Sequence, residues 1–482
     1  MNEHALTVLD FQRALEQVAG HAKSEAGRSA VLSMRPRSDR AWVERELTRV
    51  SETEAFLASR SPWSPPEIPN CLGILYRLEV DGSVLEGAEL YSVGVSLASG
   101  GQLADALDKE PSGAASPNGE GEPFAALAFI RDRLYADPRL EDRIAKTTDA
   151  SGEILDSASS DLQRIRRQLR GSRNKIVRKL EAFIADLPER VRVADGSVGI
   201  RDGRFVVPVR REGRKDVGGI VHDESQTGAT LFVEPPMAIG LTNELRGLES
   251  EEKREIHRIL SEVTQTLRPL HALLIASWEA LVDFDSLAAR AGAAAGWGAV
   301  RPELSGGSQG WSIVEGRHPL LLASSDEAVV PFDLSLDADE RILVVSGPNT
   351  GGKSVLLKAV GLIASLTQSG VVPPVGEGTT LPVFDSIFAD IGDEQSIAES
   401  LSTFSAHLTV WKEVAEHAGS DSLVLLDEMG AGTDPAEGAA LSRALIERLA
   451  EVGATAVVTS HLGALKRLDA PGSGVVNASL QF

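Results

Sequence analysis

Eight consecutive residues, Gly347-Pro348-Asn349-Thr350-Gly351-Gly352-Lys353-Ser354, fit the spacing G-x-x-x-x-G-K-[ST]. An apolar β-type run, Ile342 to Ser346, leads straight into them, and an amphipathic helical pattern, Ser354 to Gln368, leaves from them. Glycines in such a loop let the backbone wrap a polyphosphate, so that N–H groups and the following helix N-terminus face the anion. Lys353 is then placed to reach β- and γ-phosphates, and the Ser354 hydroxyl to take one position on Mg²⁺. A second motif, Leu423-Val424-Leu425-Leu426-Asp427-Glu428, reads as a buried strand ending in two carboxylates. Alone, that pair reads as a solvated strand end. Combined with Lys353 and Ser354, Asp427 reads as a holder of the magnesium shell and Glu428 as the group that orients and activates water. The two motifs together predict a Mg²⁺-dependent nucleotide hydrolase. A third β-type run, Ala454 to Thr459, ends in Thr459-Ser460-His461, which puts a histidine at a strand end next to the same site, suited to sensing the γ-phosphate. Between the phosphate motifs, Asp390 to Ser405 is polar and serine-dense and leads into a helix. Its residue types alone are equally those of a helix cap.

Elements must hold these groups, and length and composition limit which. At roughly 150 residues per domain, 482 residues correspond to about three domains. A hydrophobic fraction of 42% excludes wholesale disorder. The single cysteine, Cys71, excludes an internal disulfide framework and a cysteine-based zinc site. No apolar run reaches the 18 or so residues that span a bilayer, and Met1 to Asp10 lacks the pattern of a signal peptide. The expectation is a cytoplasmic protein without membrane contact.

Helical spacing predicts helices over Leu6 to Val18, Trp42 to Leu57, Phe124 to Tyr135 and Gly152 to Ile184. Ser61 to Pro69 and Pro111 to Pro123 read as loop by composition. Val191 to Val233 changes to a β pattern around the turn Asp202-Gly203, and a helical run returns from Asn243 to about Ala291, with a kink expected at Pro269. From about Arg301, strands alternate with helices, which implies a mainly parallel sheet. The fold class is therefore multidomain α plus α/β. A helical core occupies 1–123, lever helices occupy 124–300 with a small β-containing insert at about 170–245, and a P-loop domain occupies 301–482.

One stretch reverses the sign of the chain. The whole carries 70 acidic and 48 basic side chains, a net charge of -22, which argues against indiscriminate adhesion to nucleic acid. Residues 161–216 nevertheless hold 16 basic and 8 acidic side chains. Arg164, Arg166, Arg167, Arg170, Arg173, Lys175, Arg178 and Lys179 lie within sixteen residues that contain no acid. Such a face suits phosphate contact, and the scarcity of aromatics there points to a duplex or structured nucleic acid rather than a stacked single strand.

In their order, GPNTGGKS, DIGDEQSIAESLSTFS, LVLLDEMGAGTDP and TSH resemble the ATPase of the MutS family, within the ABC superfamily. The wording is most similar to the second bacterial, recombination-suppressing branch, as are VGIRDGRFVVPVRREGRKDVGGIVHDESQTGATLFVEP and EGRHPLL upstream. The resemblance covers essentially the whole chain. It implies an ABC-type P-loop domain, lever helices ending in a clamp, and a homodimer in which Ser402 faces the γ-phosphate bound by the other subunit. It also implies Glu428 and His461 as the catalytic pair, with Ser354 and Asp427 on the metal. Branched DNA is the implied partner, with recombination suppressed. The alternative is an ATPase that binds stalled ribosomes through ribosomal RNA and splits them. The branch normally continues into dimerising helices and a Smr nuclease domain. Because the chain stops at Phe482, a weakened dimer without endonuclease activity is the expectation.

Overall fold

The computed structural model describes residues 2–60, 62–109, 124–306, 310–324, 328–347, 352–392 and 400–480, apart from the side chains of 323–324 and 400–406. They group into two compact units. One comprises Cys71–Ala98 and Ala136–Ile275, the other Met1–Asn70, Ser99–Tyr135 and Ala276–Phe482.

In the first unit, the long helices Ser160–Asp186 and Pro236–Leu267 pair antiparallel. Ser159 caps the former by accepting the Leu162 N–H. Its Ile165, Leu169, Ile176 and Leu180 recur at helical spacing and form a buried seam. Between the helices lie β1 (Gly199–Arg201), β2 (Arg204–Arg210), β3 (Ile220–Glu224) and β4 (Thr230–Glu234), an antiparallel sheet in the order β1-β2-β4-β3. The β1–β2 hairpin turns at Asp202 and Gly203, both at positive φ. Val207 and Val209 of β2 and Leu231 and Val233 of β4 extend the helical seam into one core.

The second unit contains the α/β part. Its main sheet is built from β8 (Ile342–Ser346), β10 (Ser386–Asp390), β11 (Ser422–Leu426), β12 (Thr455–Thr459) and β13 (Val475–Ser479), in the order β10-β11-β12-β8-β13 with every pairing parallel. A smaller sheet has the order β5-β9-β6-β7, from β5 (Glu303–Leu304), β6 (Trp311–Gly316), β7 (Phe332–Leu336) and β9 (Thr380–Leu381). Strand periodicity divides the main sheet into two covered faces. Leu343, Val345, Leu423 and Leu425 pack with helix Lys353–Gln368 and with Leu9, Phe11 and Leu15 from the start of the chain. Ile342, Val344, Val424 and Leu426 pack with Trp411, Leu445, Ile446 and Leu449.

Three helical expectations need correction. Leu6 to Val18 is not one helix but two, Glu3–Val8 and Phe11–Ala19, because Asp10 takes a left-handed φ of 57°. Asp tolerates that region better than most residues, and the Asp10 carboxylate accepts from Lys358 Nζ at 2.7 Å. The Phe124 to Tyr135 run is a 3₁₀ turn plus one helical turn, Ala128–Arg131. Gly152 to Ser159 stays outside the helix, which begins only after the Ser159 cap. Pro269 falls in a 3₁₀ turn, Arg268–Leu270, between helices Pro236–Leu267 and His271–Trp297, so the expected break is present. No helix among the described residues is long and apolar enough to cross a membrane.

Gly361 marks the tightest approach of helix Lys353–Gln368 to its neighbours. A Cβ there would overlap Leu9 Cδ2 and come 2.7 Å from Leu425 Cδ1. Gly361→Val is therefore expected to lower stability by about 1–3 kcal/mol through overpacking. An unchanged urea midpoint would show that the helix has room to move.

Candidate functional site

Parallel strands bring their C-terminal ends to one edge of a sheet, and three motif ends meet there. Strand β8 runs into Gly347, at a φ of 150°, and helix Lys353–Gln368 starts after Gly352, at a φ of 69°. Both backbones suit glycine. Pro348, Asn349, Thr350 and Gly351 lie outside the described residues. Lys353 is 2% exposed, and its Nζ donates to the Gly347 carbonyl at 2.8 Å. The same Nζ lies 3.0 Å from His461 Nε2. An ammonium group can only donate, so Nε2 is the acceptor in this pair. Burial pushes Lys353 below its ordinary value, and the nearby Asp427 and Glu428 carboxylates oppose that shift.

Strand β11 delivers Asp427, whose N–H donates to the Asp390 carbonyl at 2.8 Å. The Thr459 hydroxyl donates to Asp427 Oδ1 and accepts the Glu428 N–H at 2.8 Å. The Met429 N–H donates to the Thr459 carbonyl at 2.9 Å. These bonds hold Glu428 at a φ of 46°, a left-handed conformation that costs a non-glycine residue on the order of 1–3 kcal/mol. Ser354, Asp427, Glu428, His407, Trp411 and Gly430 line one cavity at this edge. One cation, one hydroxyl, two carboxylates and an imidazole at a glycine-bordered strand end are suited to a polyphosphate with a hard divalent cation.

The basic stripe has a different setting. On helix Ser160–Asp186, Arg166 pairs with Glu252 at 2.7 Å and Asp156 at 2.8 Å, and Arg173 with Glu249 at 2.9 Å. Arg164 meets Asp161 at 3.1 Å, and Arg170 reaches Asp156 at 3.5 Å. Hydrogen bonds from Arg166 hold Asp156 below the usual carboxylate range, and those from Arg258 hold Glu255, on the facing helix, down at about 2. Arg166 and Arg173 thus join the two long helices, while Arg164 and Arg170 are paired with acids at the start of their own helix and in the turn before it. The expectation of a continuous free basic face is corrected accordingly. Arg167, Lys175, Arg178 and Lys179 are exposed and form no ion pair among the described residues. At 3.6 residues per turn, Arg167, Lys175 and Arg178 fall together on the side away from the buried seam.

Comparison with known proteins agrees with this arrangement. A family profile described as MutS domain V matches residues 343–482, which include β8 from its second residue, β11, β12 and all the cavity residues named above. The protein named Endonuclease MutS2 of Gemmatimonas aurantiaca is 46% identical over 485 residues, covering 100% of this chain and 58% of the relative. The proteins of the same name from Geobacillus thermodenitrificans and Pelotomaculum thermopropionicum are 38% and 39% identical, again over 100% of this chain and 60% and 59% of the relatives. The similarity is to the MutS family. Within it, the similarity is to the MutS2 branch, and the chain spans somewhat under two thirds of the length of these relatives.

Against that MutS background, the motifs account for Gly347, Gly352, Lys353, Ser354, Asp427, Glu428 and His461, all of which the structure gathers at one sheet edge. Residue 402 lies in helix Ser400–His417, its side chain outside the described set. Motif reading missed Thr459, Asp390, His407 and Trp411. Thr459 was in view as part of Thr459-Ser460-His461. The i, i+4 spacing of His407 and Trp411, behind a strand ending in Asp390, was the available signal for the other three.

Proposed function

We propose that this chain is a magnesium-dependent ATPase of the ABC type. In this reading it works as a MutS-like homodimeric clamp on branched DNA in the cytoplasm, where it suppresses recombination. The observation that carries the reading is the meeting of Lys353, Ser354, Asp427, Glu428 and His461 at one edge of a parallel sheet. The glycine-rich segment ahead of helix Lys353–Gln368 and the N-terminus of that helix receive the phosphates, and Lys353 leaves the Gly347 carbonyl and His461 to bind the β- and γ-oxygens. Released from that pair, His461 senses the γ-phosphate. The Ser354 hydroxyl and the Asp427 carboxylate are hard oxygen donors lining one cavity, which fits Mg²⁺. When bound there, the ion supplies charge neutralisation at the phosphate oxygens. Glu428, fixed by the Thr459 hydroxyl and the backbone bonds around it, orients the attacking water. Ser402 completes the partner subunit's site across the dimer.

In this reading the nucleic-acid contact falls on Arg167, Lys175 and Arg178, with Lys179 beside them, while Arg166 and Arg173 tie the lever helices together and Arg164 and Arg170 are engaged by Asp161 and Asp156. Reversing Arg167, Lys175 and Arg178 to glutamate is expected to weaken binding to all duplex sequences alike and to reduce the salt slope by about 3. Unchanged binding would remove the stripe from the interface. ATPase stimulation compared across four-way junctions, linear duplex and ribosomes tests the partner. Stimulation by junctions supports the clamp on branched DNA, and stimulation by ribosomes alone replaces it with the ribosome-splitting reading.

A further inference from the structure

His407, Asp390 and Trp411 form a cluster that no phosphate motif contains. Asp390 is the last residue of β10 and is 8% exposed. Its two carboxylate oxygens lie 2.7 and 2.8 Å from His407 Nδ1, and Trp411 Nε1 donates to Oδ2 at 3.0 Å. An ionised carboxylate only accepts hydrogen bonds, so the proton of the imidazole is held on Nδ1. Whenever the ring is neutral, it is thereby the tautomer whose Nε2 is an acceptor. His407 and Trp411 are four residues apart on helix Ser400–His417 and grip the carboxylate from one helix face. The backbone of Asp390 is tied to the acidic strand as well, since its carbonyl accepts the Asp427 N–H. His407 lines the same cavity as Ser354, Asp427 and Glu428.

A staple between helix and strand does not need these groups. A buried charge with polar partners is at best neutral for stability against an apolar replacement. A carboxylate that sets the tautomer and orientation of an imidazole is the device by which active sites aim a ring nitrogen at a reacting atom. We propose that His407 is a second water-orienting residue of ATP hydrolysis, accepting a hydrogen bond from the attacking water beside Glu428, with Asp390 and Trp411 as its positioning residues. This rests on the ATPase reading above. In the step, the water oxygen bonds to the γ-phosphorus while the bond from that phosphorus to the β–γ bridging oxygen breaks. The bridging oxygen leaves with the electron pair as part of ADP. One water proton passes to Glu428 and on to solvent, the other stays on the phosphate, and His407 keeps its own proton.

Two amide substitutions separate this role from a structural one. Asn places its amide near Nδ1 and can still donate to Asp390, whereas Gln places a carbonyl oxygen near Nε2. With Mg²⁺ and ATP, His407→Ala and His407→Asn are expected to lower kcat about 10- to 100-fold, the value of one hydrogen bond to a reacting group, with KM little changed. His407→Gln should recover part of that loss. Asp390→Asn should lower kcat similarly, and the double variant with His407→Ala should be no worse than either alone. Affinity for a fluorescent ATP analogue should stay within about twofold for all of them, since none removes a phosphate contact. Recovery by Asn rather than Gln, or additive losses in the double variant, would make the cluster a structural staple and overturn the inference. Lys353→Ala is the control. If it hydrolyses ATP like the unaltered chain, or if the unaltered chain hydrolyses none, the ATPase reading fails and this inference with it. If it is inactive while His407→Ala keeps full kcat, only the role of His407 fails.

Discussion

Lys353→Ala is expected to reduce ATP turnover by about 10³-fold or more, the scale at which loss of a charge aimed at developing anionic oxygens is felt. The Lys353 side chain is buried and its ammonium is held by one carbonyl and one imidazole. In such surroundings a single charge acts more strongly on a phosphate than it does in water. Glu428→Gln should behave differently, keeping nucleotide affinity while slowing hydrolysis, because the phosphate cradle is untouched. Its backbone is already held at a φ of 46° by bonds to the main-chain N–H, which glutamine leaves in place, so its folding should match that of the unaltered chain. Phosphate release at saturating ATP reads both effects. Turnover by Lys353→Ala within tenfold of normal would end the phosphate-loop assignment.

Arg290→Met should produce the largest loss of stability, up to about 3–5 kcal/mol at neutral pH, because it leaves a buried carboxylate with Arg49 as its one remaining arginine partner. Arg290 is 5% exposed and its Nη1 donates to Glu46 Oε2 at 2.8 Å and to the Gly370 carbonyl at 3.0 Å. Burial alone would raise the Glu46 carboxyl, but Arg290 and Arg49 outweigh it and hold it below its ordinary value of 4.5. With a depressed folded-state value, Glu46 contributes its stability fully above about pH 4.5, and that contribution is lost as pH falls through the lower folded value. Without Arg290 the carboxyl loses the stronger of its two arginine partners and rises, and the penalty shrinks as acid neutralises it. The difference in urea midpoint between the two proteins should therefore narrow from pH 7 towards pH 4. A gap of constant size would mean that the charge on Glu46 is not its cause.

The α/β segment was legible because strand, loop and helix each carried a local signal. Ile342 to Ser346 and Ser422 to Leu426 are short apolar runs, and the charged groups sit immediately behind them. What could not be read was whatever depends on partners distant in sequence. The acids that neutralise Arg166 and Arg173 lie at Glu252 and Glu249, across the helix pair, so a window on 164–179 sees charge without its counterions. Asp390 ends β10 while His407 and Trp411 lie on helix Ser400–His417, and their meeting depends on that helix packing against β10. The break at Asp10 escaped notice for a related reason, since apolar spacing runs unbroken across it and the ion pair with Lys358 exists only in the folded chain.

The packing of the first two helices against helix Lys353–Gln368 sets the order in which the protein can be made. Asp10 and Lys358 are separated by 348 positions, and Leu9 shares a core with Leu357, Val360 and Leu425. At synthesis rates of about 5–20 residues per second, tens of seconds pass between the emergence of the first helices and that of their neighbours. Helices of six and nine residues are too short to persist alone in water, where about 12–15 residues are needed even for marginal stability. During that interval Leu9, Phe11 and Leu15 remain uncovered, and a closure of such long range is slow once it becomes possible. The segment around Asp10 is thus made long before its neighbours and is among the last to fold, and a nascent chain released before helix Lys353–Gln368 is made carries Leu9, Phe11 and Leu15 without that cover.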